Sequence, residues 1–240
     1  MVPHRLTLHL SLYLLFLTCV HLDVEAQPRK PPTGGRIAVV VDERLAALRA
    51  TPELNGKLVR RLSRGRLVAI RSAKTTRAGI TFLLVNVTSR TSGWIQRGAL
   101  VSPSRAGDDT RLLRHIQNSE GFDRIFRARI FLDHFRRSPL RPRVLLLLGD
   151  TAEALAGQLS LQAQRRLTTD LGEAPEFSYF LNSSGLDRYN RQGVHFTFDP
   201  TTKRFHYDGA AWRELLKRHP RSPEALEARQ RLIEPLEESP

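Results

Sequence analysis

The chain has 240 residues, with 38 Lys and Arg against 24 Asp and Glu and a hydrophobic share of 40%. That balance excludes a disordered polyelectrolyte and an integral membrane bundle. The one cysteine, Cys19, excludes an intramolecular disulfide framework and a Cys-rich zinc site.

Arg5 precedes an apolar run from Leu6 to Val20, and Val24-Glu25-Ala26 follows with small residues at the −3 and −1 positions. This pattern predicts a signal peptide over 1–26, cut between Ala26 and Gln27. The run is short for a membrane span, and a retained N-terminal anchor is the other reading. The mature chain would carry a formal charge of +15 and no cysteine. It would be periplasmic or secreted, without a transmembrane segment once the signal is removed.

Residues 27–35 are rich in Pro and Gly and read as a linker. From Arg36 the texture is that of short strands. Ile37–Val41 is a nearly continuous β-branched run, Lys57–Arg61 and Arg66–Arg71 flank the turn Ser63-Arg64-Gly65, and Thr81–Thr88 is the strongest strand. Gly93–Gln96 resumes extended structure after a turn. Short strands at this spacing predict a small barrel or sandwich over 36–103.

Leu62-x-x-Gly65-x-x-Val68, then Gly93-Trp94-Ile95 and a closing Leu100-Val101, resembles the bacterial SH3-like domain. The stretch Leu45–Pro52 matches that family's opening motif but lacks its glycine before the proline. The resemblance implies a five- or six-stranded barrel that binds peptides or wall polymer in the cell envelope.

Beyond Pro103 the pattern is helical. Asp108-Asp109-Thr110 reads as a cap for a helix carrying Leu112, Leu113 and Ile116. A second helix is expected from Gly121 to Phe135. Val144–Leu148 reads as buried core opening a third, and Asp150-x-x-Glu153 as the start of another. Within an insertion at 174–209, Phe177–Leu181 is an aromatic strand or short helix. His195–Phe198 and Arg204–Tyr207 alternate across Asp199-Pro200-Thr201-Thr202 and predict a hairpin. Gly209–His219 and Ser222–Leu236 close the chain as two helices, with Ser222 as cap and Pro223 in the first turn.

Phe131–Pro139 echoes Leu215–Pro223 at an offset of 84 residues. The stretch Tyr207–Ala225 resembles the helix–turn–helix unit of tetratricopeptide-type repeats. The offset is not that family's period of about 34 residues. The expectation for 108–236 is therefore two helical hairpins with an insertion between them, or two unrelated amphipathic hairpins. The predicted fold class is multidomain, β then α.

Charge divides the chain. Residues 34–103 hold 13 Lys and Arg and three acids, a net +10, whereas residues 108–240 are close to neutral at +2. Such a field concentrates anions. It is also what a plain solvated face would carry. Arg60, Arg61, Arg64 and Arg66 crowd one hairpin and are the candidate binding residues. Trp94 joins them as a stacking platform, with core packing as its alternative. No H-E-x-x-H, G-x-S-x-G or Gly-rich phosphate loop occurs. His195 and His206, with Asp199 or Asp208, are the weak metal candidate. No catalytic residue, metal ligand or cofactor is assigned. Asn86-Val87-Thr88 and Asn182-Ser183-Ser184 match the glycosylation triplet, which matters only in a eukaryotic source.

The expectation is a non-catalytic, exported binding or scaffold protein of the bacterial envelope. Its barrel would take an anionic wall polymer or peptide, and its helices a protein partner. Export sets nucleic acid behind these as a partner. The alternative is a wall-metabolising enzyme with a divergent catalytic module at 108–240.

Overall fold

The computed structural model describes residues 35–169 and 185–233. The signal segment, its junction at Ala26 and Gln27, and nearly all of the linker lie outside these residues. So do Phe177–Leu181, the Asn182 triplet and the end of the last expected helix.

Seven strands form one antiparallel sheet. They are β1 (Arg36–Val40), β2 (Ala47–Arg49), β3 (Leu58–Arg61), β4 (Leu67–Thr75), β5 (Thr81–Asn86), β6 (Ser92–Gln96) and β7 (Leu100–Val101). Their order across the sheet is β3-β2-β6-β5-β4-β1-β7. Pairing runs from β3 at one end to β7 at the other, and no β3–β7 pairing is present among the described residues. β4 continues to Thr75, four residues past the expected Arg71, because Ser72–Thr75 pair with Thr81–Leu84. The tip of this arm closes where the Thr76 N–H donates to the Ile80 carbonyl, with Gly79 at φ +77°.

The β-branched run of β1 has a physical reason. Ala38 and Val40 pack into the sheet's own core with Leu48, Val68, Val85 and Ile95. Val39 and Val41, pointing the other way, join the helical core with Val101, Leu112 and Ile116. A strand buried on both faces needs an unbroken apolar sequence.

Six helices are described: α1 (Asp108–Gln117), α2 (Gly121–His134), α3 (Arg141–Thr169), α4 (Leu186–Asn190), α5 (Ala210–Arg218) and α6 (Pro223–Ile233). The hairpin β8 (Phe196–Asp199) and β9 (Arg204–Tyr207) stands between α4 and α5, as expected. An N-terminal sheet region followed by a mainly helical region with a small two-stranded sheet is therefore the architecture. All described residues fall within one compact unit, and the two regions share core.

The two helices expected around Val144–Leu148 and Asp150–Glu153 are one. The would-be cap fails because Thr151 Oγ1 donates back to the Leu147 carbonyl at 2.6 Å, while Asp150 pairs with Arg231 of α6 at 3.3 Å. By length and composition α3 could cross a membrane. Yet 61% of its apolar window is buried inside the protein, as in a core helix. In mid-helix, Gly149 lets Trp212 of α5 lie against the backbone: a Cβ there would sit 2.3 Å from the indole nitrogen.

Asp108 is also not the cap expected. Gly107 holds the cap position, and the buried Asp108 carboxylate accepts the Ser102 N–H at 2.8 Å and pairs with Arg111 at 3.2 Å. It ties β7 to α1. Ser222 likewise does not cap α6 with its side chain, since its Oγ is buried without a partner.

The 84-residue echo is an echo of backbone geometry. At the end of α2 the Phe135 N–H donates to Phe131 O, Ser138 to Phe135 O, and Arg141 to Ser138 O. At the end of α5, His219 donates to Leu215 O, Ser222 to His219 O, and Ala225 to Ser222 O. Each bond in the first set has its counterpart in the second.

The β8–β9 hairpin leans on α3. The Phe205 N–H donates to Ser160 Oγ at 2.8 Å and the Tyr207 N–H to Glu153 Oε2 at 3.0 Å. Side chains of a helix thus satisfy backbone donors that another strand would otherwise take.

Candidate functional site

Trp94 lies on the outer face of the sheet. Its neighbours in β6, Gly93 and Ile95, are buried, while Trp94 itself is half-buried. Register places a row of side chains across that face: Leu58 opposes Arg49, Arg49 opposes Trp94, Trp94 opposes Leu84, and Leu84 opposes Ser72. Directly opposed residues share a face. The row is an apolar strip of Leu58, Trp94 and Leu84 with Arg49 in its middle. Arg49 Nη1 donates to the Gly56 carbonyl at 2.8 Å, which fixes its guanidinium in the strip.

The four arginines expected to act together separate into two pairs. Arg60 and Arg61 are exposed on the end strand β3, and they oppose Leu48 and Ala47 respectively, so they leave on opposite faces. Arg61 belongs to the Trp94 face. Arg64 is not the free cation expected. Its side chain is 16% exposed, its guanidinium donates to Asp123 of α2 at 2.7 and 3.3 Å, and it stacks on Phe126 at 5.6 Å. Its own N–H donates to Glu43 at 2.8 Å. Gly65, at φ +79°, brings this turn so close to Phe126 that a Cβ would lie 3.3 Å from the ring. Arg66 is half-buried and donates to the Val87 carbonyl at 3.4 Å. The partners of Arg64 and Arg66 lie in α2 and after β5, far along the chain from the hairpin that carries them.

The two regions differ in net charge, +10 over residues 34–103 against +2 over 108–240, and both carry exposed cations without partners among the described residues. In the helical part Arg129 pairs with Asp133, Arg213 with Asp208 and Arg218 with Glu214, whereas Arg114, Arg137, Arg143, Arg191, Lys217 and Arg221 carry no ion pair or side-chain hydrogen bond among the described residues. In the sheet part, Lys57, Arg60, Arg61, Arg71 and Lys74 carry no ion pair or side-chain hydrogen bond among the described residues. Of the three acids in the sheet region, Asp42 is held by Arg44 and Glu43 by the Arg64 N–H, and Asp123 of α2 is held by Arg64. The hydrogen bond from Arg44 holds the Asp42 carboxyl below the usual range, and that from Arg64 does the same for Asp123.

Two clefts flank the segment between β7 and α1, and both are lined by Arg105. The larger, about 510 Å³, lies against the turn after α2 and is lined by His134, Arg136 and Arg137. Burial pushes His134 below the usual imidazole range. Asp109 also lines this cleft, and its carboxylate accepts the Ser138 hydroxyl at 2.8 Å. The smaller, about 290 Å³, is lined by Arg36, Arg97 and Arg105 with Ile70, Ala73 and Leu83. Sequence reasoning singled out none of those three arginines. Arg36 opens β1, Arg97 follows β6 and Arg105 precedes α1, so only the assembled fold brings them to one cavity.

The metal candidate does not assemble. His195 Nδ1 lies 3.2 Å from Asn190 Oδ1, and His206 lies 3.8 Å from Glu153. Asp199 is held below its usual range by Thr202 and the backbone of its own turn. Among the described residues no three His, Cys, Asp or Glu side chains gather in a way that would hold an ion. The buried carboxyl of Asp150 is pushed up by desolvation against the pull of Arg231, and Tyr207 is pushed up by burial. Both lie within helix packing, and neither borders a cleft described above.

Compared with protein-family models, with curated proteins and with solved structures, the chain matches none.

Proposed function

We propose that the chain is an exported, non-catalytic binding and scaffold protein of the bacterial cell envelope. In this reading the sheet region is a divergent SH3-like barrel that takes an anionic wall polymer, and the helices form a tetratricopeptide-like module for a protein partner. The observation that carries it is the concentration of positive charge in the sheet region. Residues 34–103 carry a net +10 against +2 for 108–240, and the cations on β3 and the β4 arm have no partner among the described residues, on the same sheet as a half-buried tryptophan. Unmatched arginines offer planar, bidentate contact to carboxylate or phosphate, and an indole offers a flat apolar surface to a sugar or peptide. The repeated turn geometry at the ends of α2 and α5 supports the helical half of the reading.

The test is sedimentation of purified protein with insoluble wall material, at low and high salt. Binding without soluble products is expected. It should weaken in Arg60→Gln/Arg61→Gln and fall as salt screens exposed charges over about 10 Å at 0.1 M. Release of soluble wall fragments would replace this reading with the enzyme. Equal sedimentation of wild type and double variant at both salts would remove the charge from the account. For export, N-terminal sequencing of protein from its own host should begin at Gln27, and an intact Met1 in a cytosolic fraction would overturn it.

A further inference from the structure

We propose that the cleft lined by Arg36, Arg97 and Arg105 is a binding site for a small phosphomonoester with an apolar body. It is separate from the Trp94 face. Three arginines border one cavity of about 290 Å³. Among the described residues no carboxylate lines it. Arg36 and Arg97 have no ion pair or side-chain hydrogen bond among the described residues. The nearest carboxylate to Arg105 is that of Asp108, at 3.9 Å, and it is already held by the Ser102 N–H and by Arg111.

Three like charges around a cavity repel one another, and an entering anion relieves that repulsion. Guanidinium forks match the oxygens of phosphate, and a dianion answers several cations better than a single carboxylate does. The remaining wall is apolar, from Ile70, Ala73 and Leu83. Free inorganic phosphate would leave that wall uncovered, whereas a short hydrocarbon group would fill it. The volume is at the small end for ligand cavities, which excludes a long chain. The neighbouring 510 Å³ cleft lacks this character because Asp109 sits in its wall.

The experiment is calorimetric titration of the full chain at low salt with butyl phosphate, inorganic phosphate and butyrate. Butyl phosphate should bind saturably and at least about fivefold tighter than either of the others. The Arg36→Gln/Arg97→Gln variant should lose at least about tenfold in affinity, a difference of about 1.4 kcal/mol. Its melting temperature should stay close to wild type, since both side chains are exposed and make no internal bond. Arg60→Gln/Arg61→Gln should bind butyl phosphate as wild type does, whatever its behaviour with wall material. Absence of saturable binding at millimolar butyl phosphate would overturn the proposal. So would undiminished binding in Arg36→Gln/Arg97→Gln, or an equal affinity for all three probes.

Discussion

Arg64, in the turn between β3 and β4, and Asp123, in the first turn of α2, share two hydrogen bonds of 2.7 and 3.3 Å. Asp123 also receives Arg127 at 3.3 Å, and Arg64 lies over Phe126 of the same helix. One guanidinium thus joins the sheet to the helices by charge and by ring contact.

Arg64→Gln should destabilise the fold by about 1–2 kcal/mol, from a partly exposed ion pair of about 0.2–1 kcal/mol and a cation–π contact of about 0.5–1 kcal/mol. Denaturant unfolding measures it. Asp123→Asn should cost less, because the ring contact survives. The Asp123 carboxyl is held below its ordinary value of 3.8, first by the hydrogen bond from Arg64. A carboxyl lowered on folding adds stability above its unfolded pKa and loses it as pH falls through the folded one. The gap between wild type and Asp123→Asn should therefore be full at neutral pH and close in acid below 3.8. A gap that widens in acid would contradict the pairing.

Gly149→Ala should be costly although alanine is the better helix former. The new Cβ would meet three atoms of the Trp212 ring within 2.6 Å. The indole is 3% exposed and has no room to retreat. A loss of about 1–3 kcal/mol is expected from overpacking, seen as a lowered melting temperature. Gly157→Ala, eight residues on, meets nothing within 4 Å and should be neutral or stabilising.

Ser138 and Ser222 occupy equivalent places in the two repeated turns but do different work. Ser138 Oγ donates to Asp109 at 2.8 Å and accepts the Leu140 N–H at 3.2 Å. Ser222 Oγ is buried and unpaired. Ser138→Ala should cost about 1–2 kcal/mol, whereas Ser222→Ala should cost nothing or stabilise slightly. Chemical denaturation of the two variants side by side is the measurement. An equal loss in both would mean that Ser222 has a partner.

Trp94→Ala should leave the sheet folded, with a loss of about 1–2 kcal/mol for a half-buried ring. Phe82→Ala, on the adjacent strand and fully buried, should cost about 3–5 kcal/mol. Circular dichroism during thermal unfolding separates them. Collapse of the sheet in Trp94→Ala would make that ring part of the core.

Local periodicity carried much of this fold into view. The strands at Ile37–Val41 and Gly93–Gln96 were legible as strands, while the face that Trp94 takes opposite Ile95 and the burial of Ile37–Val41 on both sides came from the assembled fold. The turn echo at 84 residues was legible because backbone geometry there follows a short local motif. What local sequence could not supply was the distant partner. Asp150-Thr151 has the composition of a helix start, and only the arrival of Arg231 from α6 makes it helix interior. Arg64 has the composition of a surface turn, and only α2 withdraws it from solvent. The arginines of the small cleft come from three separated segments, so no window along the chain holds them together.

The two acceptors that α3 lends to β9 are seven residues apart on the helix and receive N–H groups two residues apart on the strand. Seven helical residues advance about 10.5 Å and two strand residues about 6.7 Å. The long Glu153 and the short Ser160 make up the difference, so the match works as a vernier with a single setting. Sliding β9 by one residue would offer both acceptors a backbone donor on the wrong side of the ribbon. The hairpin is therefore keyed to the helix by that setting rather than by the length of its connection. Residues could be added or removed between Thr169 and Leu186 over evolutionary time without moving the aromatic ribbon from its seat.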